Sequence, residues 1–439
     1  MNQTADLNPV AREKRIDILD SLRGFALLGI LIMNIPFFST PYQIASNPFI
    51  KGELSGLNYK LWWIQSVFFE GAMRGMFSML FGAGAFLLLD RLEKRGAGLE
   101  TADIFYRRTI WLIVFGMVNA FVFLWPGDIL FNYGICGMFL FVFRHSKTSV
   151  MLSLIGVCLV IGTLVPTGKM YMAKDVREKG EKTIMEEKGG KTLSSKEKKQ
   201  KKEWEEMKEH LDVKKLATHA KETKEIMQKG YFDIFGEVAG FNIKFESIVL
   251  YKEFFWDAMA FILIGILLFK AGFLTGNLGS LWYILTVFLG YGIGVGLGIY
   301  DVETRIRLKM DFTRYADAFG VSLYQFRRLA LSIGHISLLL LMYKSSWFGW
   351  LMKLLANVGR MAFTNYLSQT LICITLFYGF GFGLFGELPL YKVYGIMVCI
   401  WIFQILFSAI WLRFFVIGPF EWVWRSLTYK KRQLFVKRN

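Results

Sequence analysis

The chain predicts an all-α, polytopic membrane bundle of about ten transmembrane spans, interrupted by a Lys/Glu-rich helical insertion. Three observations carry that expectation. Hydrophobic residues make up 54% of the 439 positions and mean hydropathy is +0.39, more apolar than a soluble chain of this length. The apolar residues gather in blocks of about twenty, the length a helix needs to cross a bilayer core. Lys and Arg cluster in the short connections between those blocks, as they do around membrane helices.

Taken in order, the spans are expected near 22–39, 61–89, 110–125, 129–143, 149–165, 250–269, 281–300, 329–343, 360–379 and 391–413. The first follows Asp20 and Arg23, which share a helix face three residues apart and can neutralise each other at the membrane boundary. A signal anchor that only fixes orientation is the plainer reading of this stretch; the other is a helix that opens a catalytic or transport bundle. The second block is too long for one straight crossing. Glu70, Gly71, Arg74 and Gly75 interrupt it, so 61–69 is expected in the interface or re-entering the membrane. Pro126-Gly127-Asp128 makes a tight turn between the third and fourth spans. Gly-rich YGIGVGLGIY at 291–300 sits inside a span with no strand before it, a packing face rather than a phosphate loop.

Three units follow: 1–168 with five spans, the charged insertion 169–230, and 231–439 with five spans and an interfacial amphipathic tail. The insertion lacks the apolar residues for a core of its own, and its Glu-Lys spacing favours solvated helices or a cap over the bundle mouth. Arg12, Lys14, Arg15, Arg91, Lys94, Arg95, Arg107, Arg108, Arg144, Lys147 and the tail KKRQLFVKRN fall on one side if crossings alternate. Both termini are therefore expected in the cytoplasm, with the protein multi-pass in the plasma membrane. The basic loop 301–328 then falls on the wrong side, an inconsistency in the expected topology.

The net charge of +17 lies at helix ends and in the insertion without a nucleic-acid motif, so anionic lipid headgroups, not nucleic acid, are the expected partner. Four cysteines in apolar runs show neither disulfide nor metal-ligand spacing, and no metal is expected. Polar residues within apolar spans are costly and each marks a candidate site. Asn34, Glu70 and Asp128 are the candidate catalytic groups, with Glu70 or Asp128 as general base. Arg74, Asn132, Tyr133, Asn365 and Gln369 are candidate substrate-binding residues. The alternative is structural: Glu70 paired with Arg74 four residues on, and the amides of Asn365 and Gln369 tying helices together. Tyr366 adds a hydroxyl to the same helix. His335 alone among four histidines falls in a span, and a tie is its expected role. Glu421 and Arg425, four apart on the tail, are expected to pair. Arg15, Arg23, Arg91, Arg107 and Arg108 form a basic mouth; Arg23, Arg107 and Arg108 are the candidate cofactor-binding set, since guanidinium forks suit phosphates.

LDSLRGFALLGILIMN at 19–34 resembles the opening of the YeiB-type family of bacterial membrane proteins, long classed as a domain of unknown function. FSMLFGAGAFLL at 77–88, RRTIWLIVFGMVNA with GDIL and Tyr133, GRMAFTNYLSQTLI at 359–372 and GPFEWVWRSLTY at 418–429 continue the resemblance in the family's order. That family is more distantly similar to transmembrane acyltransferases such as heparan-alpha-glucosaminide N-acetyltransferase. The second resemblance implies acyl transfer from cytoplasmic acyl-CoA, as co-substrate, to an envelope glycan, lipid or small-molecule acceptor. The acyl-accepting His of those enzymes has no counterpart in PYQIASNPFI, and Asn119 stands where relatives carry His, which leaves direct transfer with a carboxylate base. The expectation from a different class is a transporter or exporter of a small amphipathic substrate; a third is a lipid-binding structural protein. A homo-oligomer is compatible with each.

Overall fold

The computed structural model describes residues 16–437; the expected basic residues Arg12, Lys14 and Arg15 and the last two positions lie outside the described residues. Among the described residues helices are the regular elements, with one isolated bridge between Phe415 and Val436. In order they are α1 (Asp17–Ser39), α2 (Tyr42–Ser46), α3 (Gly56–Ile64), α4 (Ala72–Lys94), α5 (Glu100–Phe121), α6 (Leu130–Leu140), α7 (Thr148–Lys188), α8 (Ser195–Glu209) and α9 (Val213–Met227). There follow α10 (Tyr231–Lys244), α11 (Phe255–Lys270), α12 (Ser280–Arg307), α13 (Tyr315–Phe319), α14 (Tyr324–Lys344), α15 (Gly349–Arg360), α16 (Ala362–Phe377), α17 (Leu390–Phe414) and α18 (Pro419–Tyr429). Wider π-helical turns join α3 to α4 at Gln65–Phe69 and α10 to α11 at Phe245–Phe254.

Among the described residues, seven helices are long and apolar enough to cross a membrane: α1, the run from α3 through α4, α5, α7, α12, α14 and α17. The ten crossings expected from sequence exceed this because α6 has 11 residues and α11 and α16 have 16 each. At 1.5 Å per residue all three fall short of a core about 30 Å thick. Beyond the membrane-length portion of α7, residues up to 227 form the rest of that helix, then α8 and α9. Ser194 opens α8 with a reciprocal capping box to Glu197. Gln228 donates to the Phe385 carbonyl at 3.1 Å and Lys224 meets Glu387 at 2.9 Å, so α9 is fastened to the bundle.

Close helix approach depends on glycine at defined places. A Cβ at Gly24 would lie 2.0 Å from the Leu355 carbonyl oxygen and one at Gly359 1.8 Å from that of Asp20, so α1 and α15 meet backbone to backbone. Gly290, Gly294 and Gly298 form a row on α12; the first two face α14 and the third faces Val67. The expected break in the second block is real. Gly71 takes a left-handed backbone (φ 74°) between the π-helical turns and α4, a conformation glycine adopts at little cost.

Candidate functional site

One end of the bundle holds a cavity of about 290 Å³ between α1, α4, α5, α6, α15, α16 and α18. Its mouth carries Arg23, Arg91, Arg108, Arg360 and Arg425 with Asp20 and Glu421. Phe77, Leu80, Phe81, Leu112 and Leu130 line it further in, and Tyr133 and Tyr366, both almost fully buried, also face it. The result is a cationic rim on an apolar shaft.

Each rim group is positioned by its element. Arg23 reaches back one turn of α1 to Asp20, Nη1 to Oδ1 2.7 Å. Arg108 lies flat on the Trp424 ring, 3.9 Å from its centroid, while the Trp424 indole N–H donates to the Arg108 carbonyl at 3.0 Å. Pro419 starts α18, and Glu421 accepts from the backbone N–H groups of Phe363 (2.7 Å) and Thr364 (3.1 Å) at the start of α16. This explains why Glu421 does not simply serve Arg425: its carboxylate caps another helix. Arg107, expected beside Arg23 and Arg108, does not line the cavity. Its guanidinium is held by Asp103 at 2.6 Å and by the Thr428 carbonyl at 2.8 Å. One residue along a helix turns a side chain by about 100°, so adjacent arginines on α5 face different ways.

At the inner end, Tyr366 Oη lies 3.3 Å from Asp128 Oδ1. Asp128 also accepts from Asn119 Nδ2 at 2.8 Å and from the Phe131 N–H at 2.9 Å, the latter fixing the start of α6. Tyr133 shares a hydrogen bond with Ser78 at 2.7 Å. Asn132 donates to the Phe254 carbonyl at 3.2 Å, satisfying a backbone group beside the second π-helical segment. Asn365 donates to Ser408 (2.9 Å) and Gln369 to Gln404 (3.0 Å), so the amides of α16 tie it to α17. His335 is held on both ring nitrogens, by the Phe68 carbonyl (3.0 Å) and Tyr291 (2.7 Å).

The structure does not gather Asn34, Glu70 and Asp128 around one chamber. Asn34 is half-buried on α1 away from the cavity lining. Glu70 pairs with Arg327 at 2.7 Å, and Arg327 in turn with Asp301 at 2.8 Å. Arg74 pairs with Asp257 at 3.1 Å, not with Glu70, because the left-handed turn at Gly71 removes the one-turn relation between them. Arg328 completes this buried network on Asp257, and Arg305 on Asp301 at 2.9 Å. The network also resolves the basic loop expected at 301–328: Arg327 and Arg328 are inside α14, fully buried and paired. Sequence reasoning missed Asp257 and Asp301 as partners; Asp257 stands in an otherwise apolar run, the signal that could have marked it as a candidate, whereas Asp301 sits among the charges that end α12.

A family profile described as "Protein of unknown function (DUF418)" matches residues 268–431. The uncharacterized protein YxaH of Bacillus subtilis (strain 168) is 27% identical, over 99% of this chain and 99% of its own. The uncharacterized protein YeiB of Escherichia coli (strain K12) is 28% identical over 94% and 96%, respectively. An uncharacterized 39.9 kDa protein from the amylase 3′ region of Bacillus acidopullulyticus is 26% identical over 97% of each chain. No solved structure matches the chain.

Proposed function

Given that the chain belongs to the YeiB-type DUF418 family, which has no assigned chemistry, we propose that it is a membrane-embedded acyltransferase-like protein. The single observation that supports this is the cavity: five arginines at the mouth of an apolar shaft that reaches Tyr133 and Tyr366. An acyl-CoA fits that polarity, phosphates on the rim and the thioester inward. In the transfer, an acceptor hydroxyl or amine forms the new C–O or C–N bond and the C–S bond breaks. The acceptor proton passes through Tyr366 to Asp128 and returns to the departing thiolate. Glu70, committed to Arg327, belongs in this reading to the scaffold. In this reading α6, α11 and α16 also cross, α11 lengthened by the π-helical turns before it, and the excess of Lys and Arg assigns the rim and both termini to the cytoplasm of a bacterial cell. The acceptor is then an envelope glycan, lipid or small molecule.

The test is titration calorimetry of acyl-CoA into the purified protein. Saturable binding is expected, weakened about ten- to a hundredfold in Arg108→Ala, as loss of a charged hydrogen bond implies. Arg107→Ala, off the cavity, is expected to bind like wild type. Absence of saturable binding overturns the proposal. The buried network around Arg327 and Asp257 supports a second reading, since ionisable groups within spans also mark transport paths. A carrier of an amphipathic anion would show flux in proteoliposomes that survives Asp128→Asn.

A further inference from the structure

One position on the α4 wall of the shaft carries no side chain. On α4, Phe77, Phe81, Gly84, Leu88 and Arg91 present a single face to the cavity, and Gly84 alone among them has no side chain. The neighbouring Gly82 has a packing reason: a Cβ there would lie 2.1 Å from the Ile262 carbonyl oxygen of α11. Gly84 has none. A Cβ at 84 would meet only Arg23 Nη2, at an ordinary 3.6 Å. Glycine weakens a helix interior, so its place here, with nothing pressed against it, is accounted for by the space it leaves.

We propose that Gly84 is the selectivity position of a slot for a diphosphate-bearing ligand that inserts one linear chain. This rests on the acyl-donor reading of the same cavity and specifies its ligand. The rim carries five arginines and two carboxylates, a cationic lining that suits a multiply charged phosphate headgroup better than a neutral one. The cavity of about 290 Å³ is far above the roughly 10–15 Å³ that one water needs, so it has room for a chain. Behind the rim the apolar lining offers a place for a single chain. Two sources offer this chemistry: the pantetheine arm of a coenzyme A thioester from the aqueous side, and a short isoprenyl diphosphate from the bilayer.

Titrations of the full-length protein in detergent with inorganic pyrophosphate, coenzyme A and geranyl diphosphate separate the outcomes. In wild type, at least one chain-bearing ligand is expected to bind about tenfold or more tighter than pyrophosphate, from burial of its chain. Gly84→Leu is expected to remove that advantage while leaving pyrophosphate binding unchanged. Phe81→Ala, which widens the shaft, is expected to move preference from geranyl toward farnesyl diphosphate. An advantage that survives in Gly84→Leu, or a chain preference unmoved in Phe81→Ala, overturns the slot but not the donor site. If wild type binds none of the three, the donor reading itself falls. Tight binding of coenzyme A alone assigns the aqueous source, and of geranyl diphosphate alone the membrane source; both uphold the slot.

Discussion

Arg327 is 1% exposed and holds two carboxylates, Glu70 and Asp301, from different helices. Its replacement by alanine leaves Glu70 without its ion-pair partner and Asp301 with Arg305 alone. The expected cost is about 3–5 kcal/mol, read as a fall in the denaturant midpoint of the detergent-solubilised protein. A variant that unfolds like wild type would show that the network is not structural. Arg305→Ala, on the more open edge of the same network, is expected to cost less. Individual charges were legible in the sequence to different degrees. Arg23 with Asp20 could be paired from spacing alone, since both sit on one unbroken helix. Glu70 with Arg74 could not, because the relation assumed a continuous helix where Gly71 breaks it. Asp257 with Arg328, 71 positions apart, has no local signature at all.

Between elements, glycine separates two kinds of contact that sequence alone cannot tell apart. Gly359→Ala places a methyl against the α1 backbone at Asp20 and is expected to cost about 1–3 kcal/mol by forcing α15 away. Gly84→Ala meets no backbone and is expected to stabilise α4 by up to about 1 kcal/mol, since alanine is the better helix former. Paired unfolding curves check both, and equal effects at the two sites would refute the distinction. Glu421→Ala removes the cap at the start of α16 and is expected to cost about 0.5–2 kcal/mol. Faster proteolysis at 418–429 is its separate readout. The tail was legible as an amphipathic helix from its tryptophans and basic residues. Its service as one wall of the cavity was not, because Trp424 finds Arg108 only in three dimensions.

At the scale of the whole molecule, the helical class and the apolar blocks followed directly from composition and hydropathy. The number of crossings did not, because α6, α11 and α16 are apolar but short, and a hydropathy window does not see the π-helical turns that lead into α11. The proposed topology puts α8 and the C-terminal tail on opposite sides. A cysteine at Lys199 is expected to react with a membrane-impermeant maleimide in intact cells, and one at Arg432 only after permeabilisation, in a background lacking the exposed Cys399. Labelling of both from the same side would remove the ten-crossing arrangement.

The two inner tyrosines have a consequence for the energetics of the cell that houses the protein. Tyr133 is 1% exposed and Tyr366 3%, and each is hydrogen-bonded to a neighbouring helix or turn. An arginine-rimmed passage left unstoppered would let ions run down their gradients and dissipate the voltage on which the rest of the membrane depends. In the proposed topology the two buried phenols stand between the arginine rim and Asp128, so a cavity that takes up a charged guest need not conduct ions.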